Sequence, residues 1–308
     1  MPAQAPCRLP ARAALDPTGL HLGLLDIAPH ELHDPFLHET VQRVPAAQTL
    51  AHVPRAELGQ VQASSAPVGV IFHVARCGST LASQLLKQLD GVVVYAEPLV
   101  INELLVPPHS VSRADLVAAL RTLGGFFAAH AQRPYVLKLS SWNTLFCDLV
   151  AEAFPQTPWA LCLRDPLEVC VSLLAQQPSW LRDDFATRFS PFMATGHQGL
   201  GTEARAARFF AAFCEAIMRL DQARGLLLPY ESLPSAVWTS LAPHFGLHVD
   251  EPSRQRMAAA AQRHSKSQVG QALSFAPDDE RKRAAASPEL HRAVDEIARP
   301  AYARCMRG

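Results

Sequence analysis

The stretch from Val68 to Gln84 constrains this chain more than any other. A β-branched, apolar run, Val68 to Phe72, stops at a short turn, Ala75-Arg76-Cys77-Gly78. Ser79 and Thr80 then open an amphipathic stretch carrying Leu81, Leu85, Leu86 and Leu89. Strand, glycine turn and hydroxyl-capped helix make an anion site, with Ser79 and Thr80 expected as the cap. The helix start offers unpaired N–H groups and a positive dipole end, and Gly78 lets backbone approach a ligand. The loop departs from the nucleotide-hydrolase pattern G-x-x-x-x-G-K-[ST]: Ser79 stands where that pattern needs lysine, His73 replaces its first glycine, and the cation comes earlier, as Arg76. An arginine fork suits a bidentate grip on phosphate or sulfate oxygens. An ordinary strand–helix turn with a structural glycine accounts for the same letters.

Further along, the strand–helix pattern recurs. Tyr135 to Leu139 read as a strand, Ser140 and Ser141 as caps, and 143–154 as a helix broken by Pro155 and Pro158. Trp159 to Leu163 read as the next strand, which runs into Arg164-Asp165-Pro166 and a helix with proline in its first turn. Ser172 lies eight positions after Arg164 (172 − 164), about two helical turns on. Val92 to Tyr95 form another strand, placing Glu97 at its carboxyl end, with Pro98 keeping it extended. This alternation predicts an α/β chain in three layers, a central parallel β-sheet flanked by helices.

These segments resemble the sulfotransferases that use 3′-phosphoadenosine-5′-phosphosulfate (PAPS). The family's first loop, [KR]-x-G-[ST]-[ST], is matched by Arg76-Cys77-Gly78-Ser79-Thr80, and its second, R-[DN]-P-x5-S, by Arg164-Asp165-Pro166 through Ser172. The resemblance covers about residues 68–266 and implies a P-loop-NTPase-like fold. It implies that residues 76–80 with Leu81 hold the 5′-phosphosulfate, that Arg164 and Ser172 hold the 3′-phosphate, and that Tyr230 contacts the adenine region. Ser265 and Lys266, in a late basic turn, would close over the donor. Glu97 matches the glutamate that deprotonates the acceptor hydroxyl in the tyrosylprotein and several carbohydrate branches. Lys138 matches the lysine that stabilises the bridging oxygen. The small-molecule cytosolic branch has tryptophan where Leu81 stands here. Implied with these roles are PAPS as donor, adenosine 3′,5′-bisphosphate (PAP) as product, no metal, and a hydroxyl-bearing acceptor of open class. Two other readings stay open: a P-loop kinase of unusual form, and a PAPS- or PAP-binding module without turnover.

The remaining sequence sets bounds. With 308 residues and 49% apolar content the chain can bury a real core, and 18% charge argues against disorder. Zero formal net charge makes a nucleic-acid surface an unfavoured expectation. Three parts are expected: an N-terminal extension over 1–66 packed on the core, a P-loop-like domain over 67–270 with an acceptor lid at 178–202, and a helical tail over 271–308. The first sixty-six residues show no apolar run fit for a signal or a span. Seven cysteines without a C-x-x-C pair suggest reduced thiols and a cytoplasmic setting, and the Ala-, Arg- and Pro-rich usage suggests a bacterial source. A homo-oligomer stays open.

Four local readings complete the set. Cys77 sits in the anion loop, where positive surroundings would lower a thiol pKa, but packing is the favoured explanation of it. His73 is a rival base or a packed support for the loop. His30, His33 and His38, with Asp34 and Glu39, form the one metal-like cluster, with a spacing that matches no standard zinc pattern. Residues 111–131 read as an amphipathic helix that Gly124-Gly125 invites to break, and the 178–202 stretch carries Arg182 and Arg188 for an anionic acceptor.

Overall fold

Two sheets organise the chain in the computed structural model, which describes residues 8–43, 48–60, 65–106, 109–182, 188–189, 199–262 and 286–307. The first is antiparallel, with β1 (Leu9–Asp16), β2 (Gly19–Leu25) and β3 (Gln48–Pro54) in the order β1-β2-β3. The second holds β4 (Gly69–His73), β5 (Val93–Ala96), β6 (Tyr135–Lys138), β7 (Trp159–Leu163) and β8 (Gly225–Pro229). These five run parallel in the order β5-β6-β4-β7-β8. Every residue of β4 to β7 is buried, because both faces of the sheet are covered, and these strands read as apolar runs broken only at their carboxyl ends by His73 and Lys138. The three-layer α/β architecture expected from the sequence is what forms.

Two groups of helices supply the outer layers. On one side α2 (Ser79–Leu86) packs with α8 (Glu251–Ala261), where Arg256 donates to the Gln88 carbonyl at 3.0 Å and to Asp90 at 2.7 Å. On the other, α4 (Arg113–Ala131) packs on α5 (Cys147–Ala153), and α6 (Pro166–Ala175) on α7 (Thr202–Ile217). Phe209, Phe210 and Phe213 give α7 its buried face, each worth roughly 1.5–3 kcal/mol. Residues 288–305 lie along α7. Helix α4 runs straight through Gly124 instead of breaking there. A Cβ at Gly124 would stand 2.8 Å from the Phe154 ring, so this glycine makes room for a neighbour and does not bend the helix.

The antiparallel sheet is tied to the parallel one by specific bonds. Glu103 of α3 (Leu99–Leu105) accepts from Arg12 Nε at 2.5 Å and from the Ala13 N–H at 2.6 Å. Buried His130 bridges the Ile27 carbonyl (2.7 Å) and the Tyr95 hydroxyl (2.6 Å). The segment after β2 crosses to α2, where Lys87 Nζ and Gln84 Nε2 both donate to the Asp34 carbonyl, at 2.5 and 3.1 Å. The Asp34 carboxylate is taken by Thr40 and Arg43, anchoring α1 (Leu37–Arg43). Asp34 therefore serves as a brace within the histidine cluster. Among the described residues no three His, Cys, Asp or Glu side chains gather as a metal site, and no helix is long and apolar enough to cross a membrane.

Candidate active site at the carboxyl edge of the parallel sheet

Strands β5 and β6 end side by side, with Ala96 opposite Lys138, and this register brings Glu97 to Lys138. The Glu97 N–H donates to the Lys138 carbonyl at 2.6 Å. Lys138 Nζ pairs directly with Glu97 Oε1, the lysine side chain 1% exposed and the glutamate 23%. Burial pushes the Glu97 carboxyl up, but the Lys138 charge and the surrounding hydrogen bonds outweigh it and hold the group well below the usual carboxylate range. Ser140 Oγ donates to Glu97 Oε2 at 3.3 Å and itself accepts from Asn102 Nδ2 at 3.0 Å. Both carboxylate oxygens are thus fixed from below while an edge stays open to solvent. A buried ion pair is a weak device for stability, so its place at two strand ends points to chemistry.

Both ring nitrogens of His73 are engaged by the backbone. The Ala75 N–H donates to Nδ1 at 3.2 Å, so Nε2 carries the proton and donates to the Leu139 carbonyl at 2.9 Å. Burial, reinforced by Lys138, lowers its pKa to about 4. The imidazole is neutral near pH 7, and its 3.7 Å approach to Glu97 is then no ion pair. Of the two expectations for His73, the packed support is the one that holds.

Backbone strain marks the same place. Four non-glycine residues among those described have left-handed φ: Ala75 (68°), Arg76 (50°), Glu97 (53°) and Gln132 (52°). Gln132 ends α4, but the other three stand in this site, where such strain costs on the order of 1–3 kcal/mol each, and Glu97 is left-handed instead of extended as the proline after it led one to expect. Gly78 continues the turn at φ 81° as the N-cap of α2, with no side chain to cap the helix itself. Ser79 and Thr80 occupy the first turn, buried, instead of the expected cap, and half-buried Leu81 packs behind them. Arg76 is half-buried and donates to the Gln176 carbonyl at 3.2 Å. Cys77 is fully buried and its thiol is pushed up to about 11. Desolvation overrides the positive surroundings, contrary to the expectation of a lowered value.

The second motif reaches the same edge. Asp165 caps α6, accepting from the Leu167 and Glu168 N–H groups at 2.9 and 3.3 Å. Arg164, buried, pairs with Glu168 at 2.8 Å and lies 4.0 Å over the Tyr230 ring. Its Nη1 points to the Arg76 carbonyl at 3.5 Å, joining the two motifs. Tyr230 also flanks Gly78: a Cβ there would meet the ring at 3.0 Å and Leu233 at 2.6 Å. Ser172 Oγ donates to the Glu168 carbonyl at 2.9 Å. Residues 76–81, Glu97, Lys138, Arg164, Ser172 and Tyr230 therefore belong to one region. Ser265, Lys266 and most of 178–202 lie outside the described residues; of that stretch, Trp180 and Phe189 are buried against Trp142 and Phe209.

Several participants were not read from the sequence. Phe36, from the N-terminal extension, covers Lys138 with its ring centroid 5.4 Å from Nζ. Asn102 and Asn143 bracket Ser140, yet Asn102 Oδ1 and Asn143 Nδ2 are buried without a protein partner. No spacing signal connects Phe36 to residue 138, and lone asparagines carry no motif. A groove of about 470 Å³ on the outer face of β1–β3 includes Arg12, His21, Leu50 and His52. It lacks buried ionised groups, and His21 is engaged by Asp16 on the surface, so the carboxyl edge is the better candidate.

No family model matches the sequence, and no curated protein matches it. Solved structures with a similar chain path include five sulfotransferases. The sulfotransferase domain of the Synechococcus PCC 7002 olefin synthase aligns with 75% of this chain and 94% of its own, at 16% identity and TM-score 0.49. For the sulfotransferase domain of the curacin biosynthetic pathway the values are 75%, 97%, 14% and 0.46. For the mouse sulfotransferase SULT7A1, solved with PAP, they are 82%, 89%, 10% and 0.45. The likeness is one of chain path, and the chemistry is argued from the side chains above.

Proposed function

We propose that this chain is a sulfotransferase that moves the sulfuryl group of PAPS to a hydroxyl acceptor, with Glu97 as general base. The observation that carries the reading is the Glu97–Lys138 pair standing at the same sheet edge as a lysine-free anion loop and a buried arginine. The residues suit such a donor. Gly78 takes the left-handed turn (φ 81°) that starts α2 against Leu233 and Tyr230, and Arg164 reaches the Arg76 carbonyl, so two arginines stand beside the helix start.

In this reading Arg76 and the first turn of α2 hold the phosphosulfate end, while Arg164 and Ser172 hold the 3′-phosphate. Glu97 takes the acceptor's proton as the acceptor oxygen bonds to sulfur and the bond from sulfur to the bridging oxygen breaks. Lys138 exchanges its contact with Glu97 for the bridging oxygen as that atom gains charge. Sulfuryl transfer, like phosphoryl transfer, needs in-line positioning and charge stabilisation more than covalent help. Calorimetric titration with PAP, against ATP–Mg²⁺, tests the donor. Metal-independent PAP binding that weakens in Arg164→Ala supports it; preference for ATP–Mg²⁺ would overturn it in favour of a kinase.

A further inference from the structure

We infer that Glu168 is a positioning residue that fixes the Arg164 guanidinium, and that it thereby makes the donor site select nucleotides bearing a 3′-phosphate; the inference rests on the donor reading above. The R-[DN]-P-x5-S pattern leaves this position unspecified, yet Glu168 is the residue that touches both of its phosphate-side members. Its carboxylate takes Arg164 Nε at 2.8 Å, and its carbonyl takes Ser172 Oγ at 2.9 Å. The contacts that constrain Arg164 include the carboxylate at Nε, the Tyr230 face 4.0 Å from Cζ, and the Arg76 carbonyl 3.5 Å from Nη1. A planar group held at one edge, one face and one tip has its plane and its rotation fixed. Such preorganisation lets a guanidinium receive a phosphate without first giving up side-chain freedom.

A carboxylate beside a phosphate site needs its own explanation, since it repels the ligand. The Arg164 and Glu168 side chains are 5% and 4% exposed, and a buried guanidinium without a counter-charge is costly to hold in the empty site. Helical geometry sets the partner: Glu168 follows Arg164 by four positions, and its N–H is held at 3.3 Å by the Asp165 cap. Glu168 therefore supplies orientation at some electrostatic cost, and the two effects separate by substitution.

The test is calorimetry on the full chain with two probes, PAP and AMP, which lacks the 3′-phosphate. Glu168→Ala removes the grip and is expected to weaken PAP about tenfold while AMP changes less than about twofold. Glu168→Gln keeps an acceptor oxygen of the same shape without the charge, and is expected to bind PAP at least as tightly as the wild type. Arg164→Lys keeps the charge without a planar group and should lose PAP selectively, which covers the case of an Ala variant that does not fold. PAP binding within about twofold of wild type in Glu168→Ala, equal loss of PAP and AMP, or a tenfold PAP loss in Glu168→Gln would each overturn the inference. Wild-type protein that fails to bind PAP would overturn the donor reading itself, an outcome separate from a wild type that binds PAP and a Glu168 variant that binds it equally.

Discussion

Glu97 has a base strength set by Lys138. With the ammonium against it, the carboxylate is ionised but a poor proton acceptor, because the pair favours the charged form. In the proposed reaction, proton transfer would become favourable as Lys138 turns to the leaving oxygen, so base strength would rise when the reaction needs it. Glu97→Gln keeps the shape and removes the base. It should leave PAP affinity within about twofold and lower turnover of PAPS to PAP by about 10²–10⁴, measured with whichever hydroxyl compound an acceptor screen identifies. Unchanged turnover would sink the assignment. His73 makes a separate prediction about stability. Its pKa is lowered to about 4 by burial and by Lys138, partly opposed by Glu97, so below its ordinary value of 6.5 the unfolded chain binds a proton that the folded chain does not. Stability is then full above pH 6.5 and falls as pH drops toward about 4, by about 3 kcal/mol in all. Buried His130, also lowered, adds to the same trend. Urea unfolding at pH 7 and pH 4.5 should show the loss, and His73→Gln should flatten it; an equal slope in the variant would remove His73 as its source.

Strand ends and the turns that follow them do the placing at the next scale. Gly78 shows how narrow the tolerance is: φ is 81°, and an added Cβ would fall 2.6 Å from Leu233 and 3.0 Å from Tyr230. Gly78→Ala should cost about 1–2 kcal/mol in backbone strain and displace Tyr230 from Arg164. A weakened PAP isotherm together with a lowered denaturation midpoint is the expected outcome, and wild-type affinity would count against the loop as a donor cradle. Such strand–turn–helix joints are also what sequence displays most clearly. The β4–α2 and β7–α6 joints are legible because fully buried parallel strands give apolar runs that stop before Gly78 and Pro166. The β1–β3 sheet was not legible. Strand β3 alternates between exposed and half-buried positions, but it puts Leu50 on the exposed side (81%) and Thr49 on the half-buried side, so its hydropathy does not announce the alternation. Glu97 and Lys138 could be named from matched positions, but their direct pairing depends on the parallel register of β5 and β6, which no local spacing encodes. Gly124 misled because glycine reads as conformation where packing against Phe154 decided; Cys77 is buried as the favoured packing reading expects, and only its expected lowered pKa failed, because burial outweighs the nearby charge.

The whole molecule joins these elements through contacts that span most of the chain. Phe36 over Lys138 brings the N-terminal extension to the Glu97–Lys138 pair, and Arg299 reaches the Asp165 cap of α6 at 3.4 Å from the C-terminal helices. Glu103, His130 and Asp34 fasten the β1–β3 sheet and the segment after it to α3, α4 and α2 through buried or half-buried hydrogen bonds. These links engage groups from both sheets, and opening either would strand a buried acceptor or donor at about 1–3 kcal/mol apiece. Unfolding should therefore be one cooperative transition, although the chain carries two separate sheets. PAP should move that transition as a whole. A ligand at a hundred times its dissociation constant adds about 2.7 kcal/mol to the folded state, enough to raise Tm by several degrees in a chain of this size. AMP at the same concentration should give a smaller rise if Arg164 and Ser172 hold the 3′-phosphate as proposed. Calorimetric scans with and without PAP decide the matter. Two resolved transitions, only the upper one responding to PAP, would mean that the β1–β3 sheet is an independent unit and that Phe36 reaches Lys138 by contact alone, without thermodynamic coupling.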